Sequence, residues 1–340
     1  MNASDAKLLN SVIDGFFGQR ILVLGDVMLD ITVGGPSHRR SPEDASAPVI
    51  LQQYENVQPG GAANAAMCLR SLGAEVTLCG VTGADKESES LRSMLAVHEI
   101  SSAGFLQDKS RVTTRKTRIE IEQRQIARID KETVEPLSLK ASMLLGKAIM
   151  GARADGMFLS DYNKGVLTHE VMLAVRERVA VSPDLVVLAD PKARPPELYA
   201  GVHHLTPNAR EFSELNRTTA ARAMSDRRPT PSLLEDLGLD SVLVTQGAEG
   251  AELHRTSRGL HESLPRFLPQ KLEGLPVEVR DVSGAGDASA AAYLLAILAG
   301  ADLSICAHLA NIVGALSVEK WGPGVVSSRE VREYIQAQCP

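Results

Sequence analysis

The densest group of reactive residue types in the 340-residue chain is Asp281-Val282-Ser283-Gly284-Ala285-Gly286-Asp287, followed at once by small and apolar residues over 288–299. Two glycines let the main chain turn tightly, so several N–H groups at a helix start can point at an anion, with the positive end of the helix dipole behind them. That is the chemistry of a phosphate cradle. Asp287 stands at the same helix entrance, where a carboxylate can take the proton of a hydroxyl that attacks a phosphoryl group. The same residues would also serve as a helix cap and a tight turn, and spacing alone leaves both readings open.

A second group is Pro59-Gly60-Gly61-Ala62-Ala63-Asn64-Ala65-Ala66. Paired glycines opening an Ala-rich helix admit a ligand closely, and Asn64 can both donate to and accept from sugar hydroxyls. Close packing of that helix on a sheet explains the small residues equally well. Asp26 and Asp30 follow the first apolar run and could grip hydroxyls, or simply cap and solvate a turn. Other chemistries lack their residues: the chain has no GxxxxGK[ST], no GxGxxG before a helix, no HExxH and no GxSxG. His203-His204 reads as structural. Cys68, Cys79, Cys306 and Cys339 have no close CxxC pairing and read as reduced thiols.

Such residues need elements to hold them. Short apolar runs end in turn or acidic residues at 21–26, 76–83, 157–162, 185–191 and 241–247, and read as buried strands. Helical spacing over 62–72 and 169–181 lies between them. The alternation predicts an α/β fold with a largely parallel sheet, with functional groups gathered at the carboxyl ends of its strands. Residues 31–57 are rich in turn formers and 112–130 carry the two-residue period of a hairpin, with Lys116, Arg118, Glu120 and Glu122 on one face. Together they predict a small β lid inserted in one domain spanning 1–340. Residues 217–232 are polar with prolines and read as a loop, and 253–279 as an extended surface hairpin.

With 44% hydrophobic and 23% charged residues the chain can bury a large core. Its net charge of −6 offers no general attraction to nucleic acid or anionic membrane. The longest apolar stretch, 12 residues over 288–299, is well short of the roughly 20 needed to cross a bilayer. The first residues lack the pattern of a signal peptide, so a cytoplasmic location is expected.

GDVMLD over 25–30, PGGAANAA, TPNAREF over 206–212, VTQGAEG over 244–250 and DVSGAGD occur in one order along nearly the whole chain. In this combination the sequence resembles the ribokinase-like, phosphofructokinase-B type carbohydrate kinases. The resemblance implies a three-layer α/β/α fold, with ATP and Mg²⁺ as cofactors. It makes Asp287 the catalytic base and the amides of Gly284, Ala285 and Gly286 the anion hole. Asn208 and Glu211 match an NxxE motif that organises Mg²⁺ and the ATP phosphates, partly through water. Thr245, Gly247 and Gly250 fall where the family holds ATP, and Asn311 borders the adenine pocket or satisfies nearby main chain.

Within that family, GGPSHRRSPE, KTRIEIEQRQIARID and SDYNKGVLT are similar to members that phosphorylate D-glycero-β-D-manno-heptose 7-phosphate at the anomeric hydroxyl, on the route to ADP-heptose and lipopolysaccharide. A phosphorylated sugar needs fixed cations, and the hairpin offers Lys116, Arg118, Arg124 and Arg128. Over 108–128 seven basic residues face three acids. A solvated hairpin face is the competing account. Asp161 with Lys164, and Asp190 with Lys192, follow strands and could hold hydroxyls and phosphate, or pair ordinarily. Two departures stand out: 41–49 is two residues longer than in those members, and Glu122 occupies a place that is basic there, with Arg124 two residues on. The resemblance further implies a homodimer through the lid and a separate nucleotidyltransferase for the later step. Two alternatives stay open: a kinase of another sugar, sugar phosphate or nucleoside, and a binding protein that kept the fold without turnover.

Overall fold

Runs such as Ile21-Leu22-Val23-Leu24 have no polar alternation, so both of their faces must be covered, and a parallel sheet between helical layers does that. The computed structural model, which describes residues 3–225, 232–256 and 269–338, has this architecture. Helix α1 (Ala3–Asp14) leads into β1 (Arg20–Gly25) and β2 (Val27–Gly35), then the short β3 (Arg39–Arg40) and β4 (Pro48–Val49), and β5 (Tyr54–Gly61). Next come α2 (Ala62–Leu72), β6 (Glu75–Thr82), α3 (Lys86–Val97), β7 (Ser101–Gln107), β8 (Thr114–Ile121) and β9 (Arg124–Lys131). Alternation resumes with α4 (Leu139–Gly151), β10 (Gly156–Ser160), α5 (His169–Ala180), β11 (Val186–Asp190), β12 (His204–Leu205) and α6 (Ala209–Ser225). The remaining elements are α7 (Leu233–Leu237), β13 (Ser241–Thr245), β14 (Gly250–Arg255), β15 (Gln270–Glu273), α8 (Ala285–Leu298), α9 (Leu303–Ser317) and α10 (Ser328–Ala337).

Among the described residues nine strands form the main sheet, in the order β15-β14-β13-β12-β11-β10-β1-β6-β7. Every neighbouring pair from β7 to β13 is parallel, and β14 and β15 add antiparallel at one edge. The chain builds outward from β1 on one side and returns to β10 on the other. That reversal opens a crevice at the carboxyl ends of β1 and β10, where open α/β sheets place their ligands. Leu22 and Leu159 face one apolar core and Val23 and Phe158 the other.

Helix α8 is buried on nearly every side, including Ala288, Ala290, Ala291 and Ala292, and it packs on Ala62, Ala63, Ala65 and Ala66 of α2. Small side chains let the two helices approach closely. Their amino-terminal ends therefore meet in the crevice. A second sheet, β5-β2-β8-β9, stands beside these strand ends. Glu122 and Gln123 turn β8 into β9 with φ of 49° and 65°, the left-handed pair of a tight two-residue hairpin.

Residues 217–225 are helical rather than looped. Leu215, Thr219 and Ala223 recur every four residues and are buried, so the polar positions between them are the outer face of α6. Residues 226–231 lie outside the described residues, and Ser232 caps α7 with a reciprocal capping box to Glu235. The 253–279 segment contains an antiparallel β14–β15 pair in which Gly250 opposes Glu273, and its 257–268 part lies outside the described residues. Cys68, Cys79 and Cys306 are free and buried, and Cys339 lies outside the described residues. No helix among the described residues is long and apolar enough to cross a membrane.

Candidate active site

Asp287 lies in the first turn of α8 and is 3% exposed. Asn64, which the α2–α8 packing sets against it, donates from Nδ2 to Oδ2 at 2.7 Å. The Tyr162 hydroxyl donates to the same carboxylate, 3.3 Å from Oδ1 and 3.2 Å from Oδ2. Burial pushes the Asp287 carboxyl up, to about 6, against the pull of Asn64, Tyr162 and Lys192. A carboxylate tuned to that range accepts a proton near neutral pH far better than an ordinary aspartate. The turn before it depends on Gly284: its φ is +78°, and a Cβ there would fall 2.6 Å from Asn64 Nδ2. Ala285 donates its amide to the Val282 carbonyl at 3.4 Å, while the amides of Gly286 and Asp287 belong to a first helical turn and have no carbonyl one turn earlier in the helix. Those amides are left at the mouth of the crevice without an intrahelical acceptor.

The next group sits at β11 and the start of α6. Lys192 Nζ is 2.7 Å from Glu211 Oε1. Glu211 Oε2 accepts the Asn208 amide at 3.0 Å and the Glu211 amide donates to Asn208 Oδ1 at 2.9 Å, so the two cap α6 reciprocally. Glu211 is buried rather than solvated. Burial pushes the Asp190 carboxyl up, to about 8, although Lys192 opposes it. Burial also disfavours the Lys192 charge, but Asp190, Glu211 and Asp287 outweigh that and raise its pKa. Beside these groups a cavity of about 550 Å³ is lined by Asn208, Thr245, Gly247, Gly250, Gly286 and Asn311, with Leu275, Val279, Val282 and Val318 as apolar walls. Its size suits a nucleoside with its phosphates at the α8 end. Asn311 donates to the Glu273 carbonyl at 2.8 Å and so anchors the end of β15, from which Gly274 and Leu275 run along that cavity.

The second sheet supplies the third group. Asp30 accepts from Arg118 at 2.6 Å, and its other oxygen lies where a Cβ on Gly60 would come within 2.1 Å, so residue 60 must be glycine for the carboxylate to turn inward. Gly61, with φ +57°, makes the entry into α2. Lys116 Nζ lies 5.4 Å from the Tyr162 ring centre and Lys192 Nζ 5.1 Å. Asp30, Asn64, Lys116, Arg118, Asp190, Lys192 and Asp287 thus lie around one crevice, together with Tyr162.

Residues 19–329 match the pfkB family of carbohydrate kinases. The chain belongs to that family. It is an ATP-dependent kinase that uses an alcohol group as acceptor. The kinase is 37% identical over 325 residues to bifunctional protein HldE of Bradyrhizobium diazoefficiens, covering 94% of this chain, and 36% identical over 316 residues to that of Caulobacter vibrioides, covering 93%. It spans 63% of the length of each of those two relatives. The kinase also superposes on Arabidopsis thaliana ribokinase complexed with ribose and ATP, with a TM-score of 0.66 at 19% identity, covering 94% of this chain and 99% of the other. Phosphofructokinase-2 of Escherichia coli in complex with substrates and products gives a TM-score of 0.72 at 16% identity, covering 94% and 99%. These two likenesses establish the ribokinase-like fold.

Four sequence candidates of this kinase point elsewhere. Asp26 is 2% exposed and accepts main-chain amides from Tyr162 at 2.8 Å, Lys164 at 3.0 Å and Val166 at 3.1 Å, so it staples the loop after β10 instead of meeting a sugar. Asp161 is fully buried and accepts from Asn163, Tyr199 and Arg194. Lys164 pairs with Glu132 at 2.8 Å. Arg124 begins β9 at the hairpin tip, some five residues and roughly 17 Å along the strand from Lys116. The turn at Glu122 and Gln123 carries it outward, so it does not compensate for Glu122 in the crevice. Arg128 stays on the inner face opposite Arg118, but is held bidentately by Asp130 at 2.9 Å. Asp161→Ala removes the buried anion that pairs with Arg194 and accepts from Tyr199, leaving them only main-chain partners at Leu167 and Lys192, and is expected to destabilise the fold by about 3 kcal/mol. Chemical denaturation measures this, and an unchanged midpoint would refute the structural role.

Tyr162 is the functional residue that spacing alone did not reveal. Its place between Asp161 and Lys164, after a strand that reaches the crevice, was the available signal.

Proposed function

We propose that the kinase transfers the γ-phosphoryl group of ATP to the anomeric hydroxyl of D-glycero-β-D-manno-heptose 7-phosphate, giving the 1,7-bisphosphate. The observation that carries the reading is the buried Asp287 carboxylate at the α8 mouth, with a nucleoside-sized cavity on one side and the cationic face of the second sheet on the other. Similarity to HldE proteins over most of the chain supports the heptose. So does the sheet register, because Arg118 stands directly across from Arg128. Like charges in such a pair repel, and here Asp30 and Asp130 relieve them. A substrate phosphate placed between them would do the same.

The acceptor hydroxyl gives its proton to Asp287 as its oxygen attacks phosphorus. An anomeric hydroxyl is more acidic than a simple alcohol, so one carboxylate suffices. The amides of Gly284, Ala285 and Gly286 face the charge that builds on the transferring group; Ala285 shares its amide weakly with the Val282 carbonyl, while those of Gly284 and Gly286 have no main-chain acceptor among the described residues. Asp30 and Asn64 orient sugar hydroxyls, and Lys192 neutralises phosphate charge. Asn208 and Glu211 fit Mg²⁺ held through its waters: both Glu211 oxygens already have partners, and no group of three or more acidic, His or Cys side chains among the described residues suits direct ligation. The ion, when bound, supplies charge neutralisation at the β- and γ-phosphates.

The second sheet acts as a lid in one kinase domain, and exposed Ile126 and Ile129 on β9 suit pairing of two lids in a homodimer. A nucleotidyltransferase acts on the product. Magnesium-dependent ATP consumption with a panel of heptose 7-phosphate, fructose 6-phosphate and ribose tests the acceptor. The highest kcat/KM belongs to the heptose phosphate; a clear preference for unphosphorylated ribose would refute the reading.

A further inference from the structure

Beside Asp287 stands a side chain with no part in the roles given above. Tyr162 follows β10 in a loop stapled by Asp26, which takes the Tyr162 amide itself at 2.8 Å. The phenol is therefore delivered from a fixed main chain. It sits 3.3 and 3.2 Å from the two oxygens of Asp287, while Asn64 holds Oδ2 alone at 2.7 Å. Both ammonium groups of the crevice, Lys116 from the second sheet and Lys192 from the main sheet, approach its ring at 5.4 and 5.1 Å. A cation over an aromatic ring is attracted to its face and draws electron density from the hydroxyl, which makes the O–H a better donor.

We propose that Tyr162 is the positioning residue of the catalytic base: its hydroxyl, bridging both carboxylate oxygens, keeps Asp287 ionised and oriented towards the acceptor, and its ring ties that base to the two phosphate-binding lysines. This rests on the kinase reading above. Tyr162 can only donate at working pH, because burial first, and then the charges of Asp287 and Asp190, push its own pKa well above the ordinary value. It is no rival base. Four other charged or titratable groups act on Asp287, from three elements. Lys192 after β11 favours the ionised form, while Asp30 of β2 disfavours it. Asp190 of β11 is charge-coupled to it, and the Cys68 thiol of α2 is kept neutral by burial. Hydrogen bonds from Asn64 and Tyr162 are the largest influences that oppose burial. Removing one of two should be visible.

The test is the pH profile of kcat/KM for the sugar phosphate. Tyr162→Phe keeps the ring and its cations and deletes only the hydroxyl, so the acid limb should move up by about one pH unit. The loss is then about fivefold at pH 6 and shrinks as pH rises. A purely structural tyrosine would lower activity at all pH values and leave the limb in place. Should Tyr162→Phe be too weak to profile, 3-fluorotyrosine placed at 162 gives a stronger donor and should move the limb down. A limb that stays put in the variant that can be measured overturns the proposal. The two levels separate cleanly. If Asp287→Asn is inactive and the limb does not move, Tyr162 loses its role and Asp287 stays the base; if Asp287→Asn turns over normally, Asp287 is not the base and the role of Tyr162 falls with it.

Discussion

Changing Asp287 to Asn is expected to abolish turnover and to make the protein more stable at the same time. The loss of a general base costs on the order of 10³-fold in kcat. Stability moves the other way because the folded protein holds this carboxyl at about 6 instead of 3.8, so folding disfavours its ionised form. The sign follows from proton binding. Between those two values the folded state binds the proton more tightly, so the penalty sets in as pH rises past the lower value and is complete above the upper one. At pH 7.5 it amounts to about 3 kcal/mol, and a neutral amide carries none of it. Part of the gain is offset, since the new amide and Asn64 must turn so that one donates and the other accepts. Melting temperatures of the two proteins should therefore differ by a few degrees at pH 7.5 and converge near pH 4. ATP binding, measured by titration calorimetry, stays intact. A variant that melts lower than the wild type at pH 7.5 would show that the carboxylate is held by more than it loses to burial. One that keeps its activity would remove Asp287 from the mechanism.

The elements were readable because their residues repeat. Unbroken apolar runs reported parallel strands, and the small-residue stretches at 62–72 and 288–299 reported two helices, but that these pack on each other, which is the cause of the Asn64–Asp287 contact, came only with the structure. Acids at strand ends were harder. Asp26, Asp161 and Asp190 follow buried strands in the same way, yet the first two turn back to the main chain or to Tyr199 and Arg194, and the third stays beside Lys192. Which way such a carboxylate turns depends on the amides and cations of other segments, often more than a hundred residues away, so spacing cannot report it. Lys164 shows the same limit through Glu132. Alternation along 114–121 placed Lys116 and Arg118 on one face. It could not place Arg124, because the left-handed turn at Glu122 and Gln123 decides where the hairpin ends. In α6 the buried Leu215, Thr219 and Ala223 were masked by the polar residues between them.

Lys116→Met should raise KM for the sugar phosphate about 30-fold, with KM for ATP little changed. Lys116 is the inner cation least committed elsewhere. Burial lowers its pKa, with Asp30 opposing, so its ammonium group is poorly solvated before substrate arrives. A desolvated charge gains most from an incoming phosphate, and a charge-assisted contact of this kind is worth about 2 kcal/mol. Methionine keeps most of the length and the apolar stem, so the β8 backbone is undisturbed and only the cation, with its place over the Tyr162 ring, is lost. Arg118 would make a poorer test. Its loss leaves Asp30 without its 2.6 Å partner, and an unneutralised Asp30 raises the proton affinity of Asp287, mixing binding with chemistry. The comparison that decides is between acceptors. If Lys116 holds the phosphate, the variant loses its advantage for phosphorylated over unphosphorylated sugars, and added salt weakens the wild-type protein more than the variant. Equal losses for both kinds of sugar would instead place Lys116 among the groups that hold Tyr162, and the phosphate would have to be sought between Arg118 and Arg128.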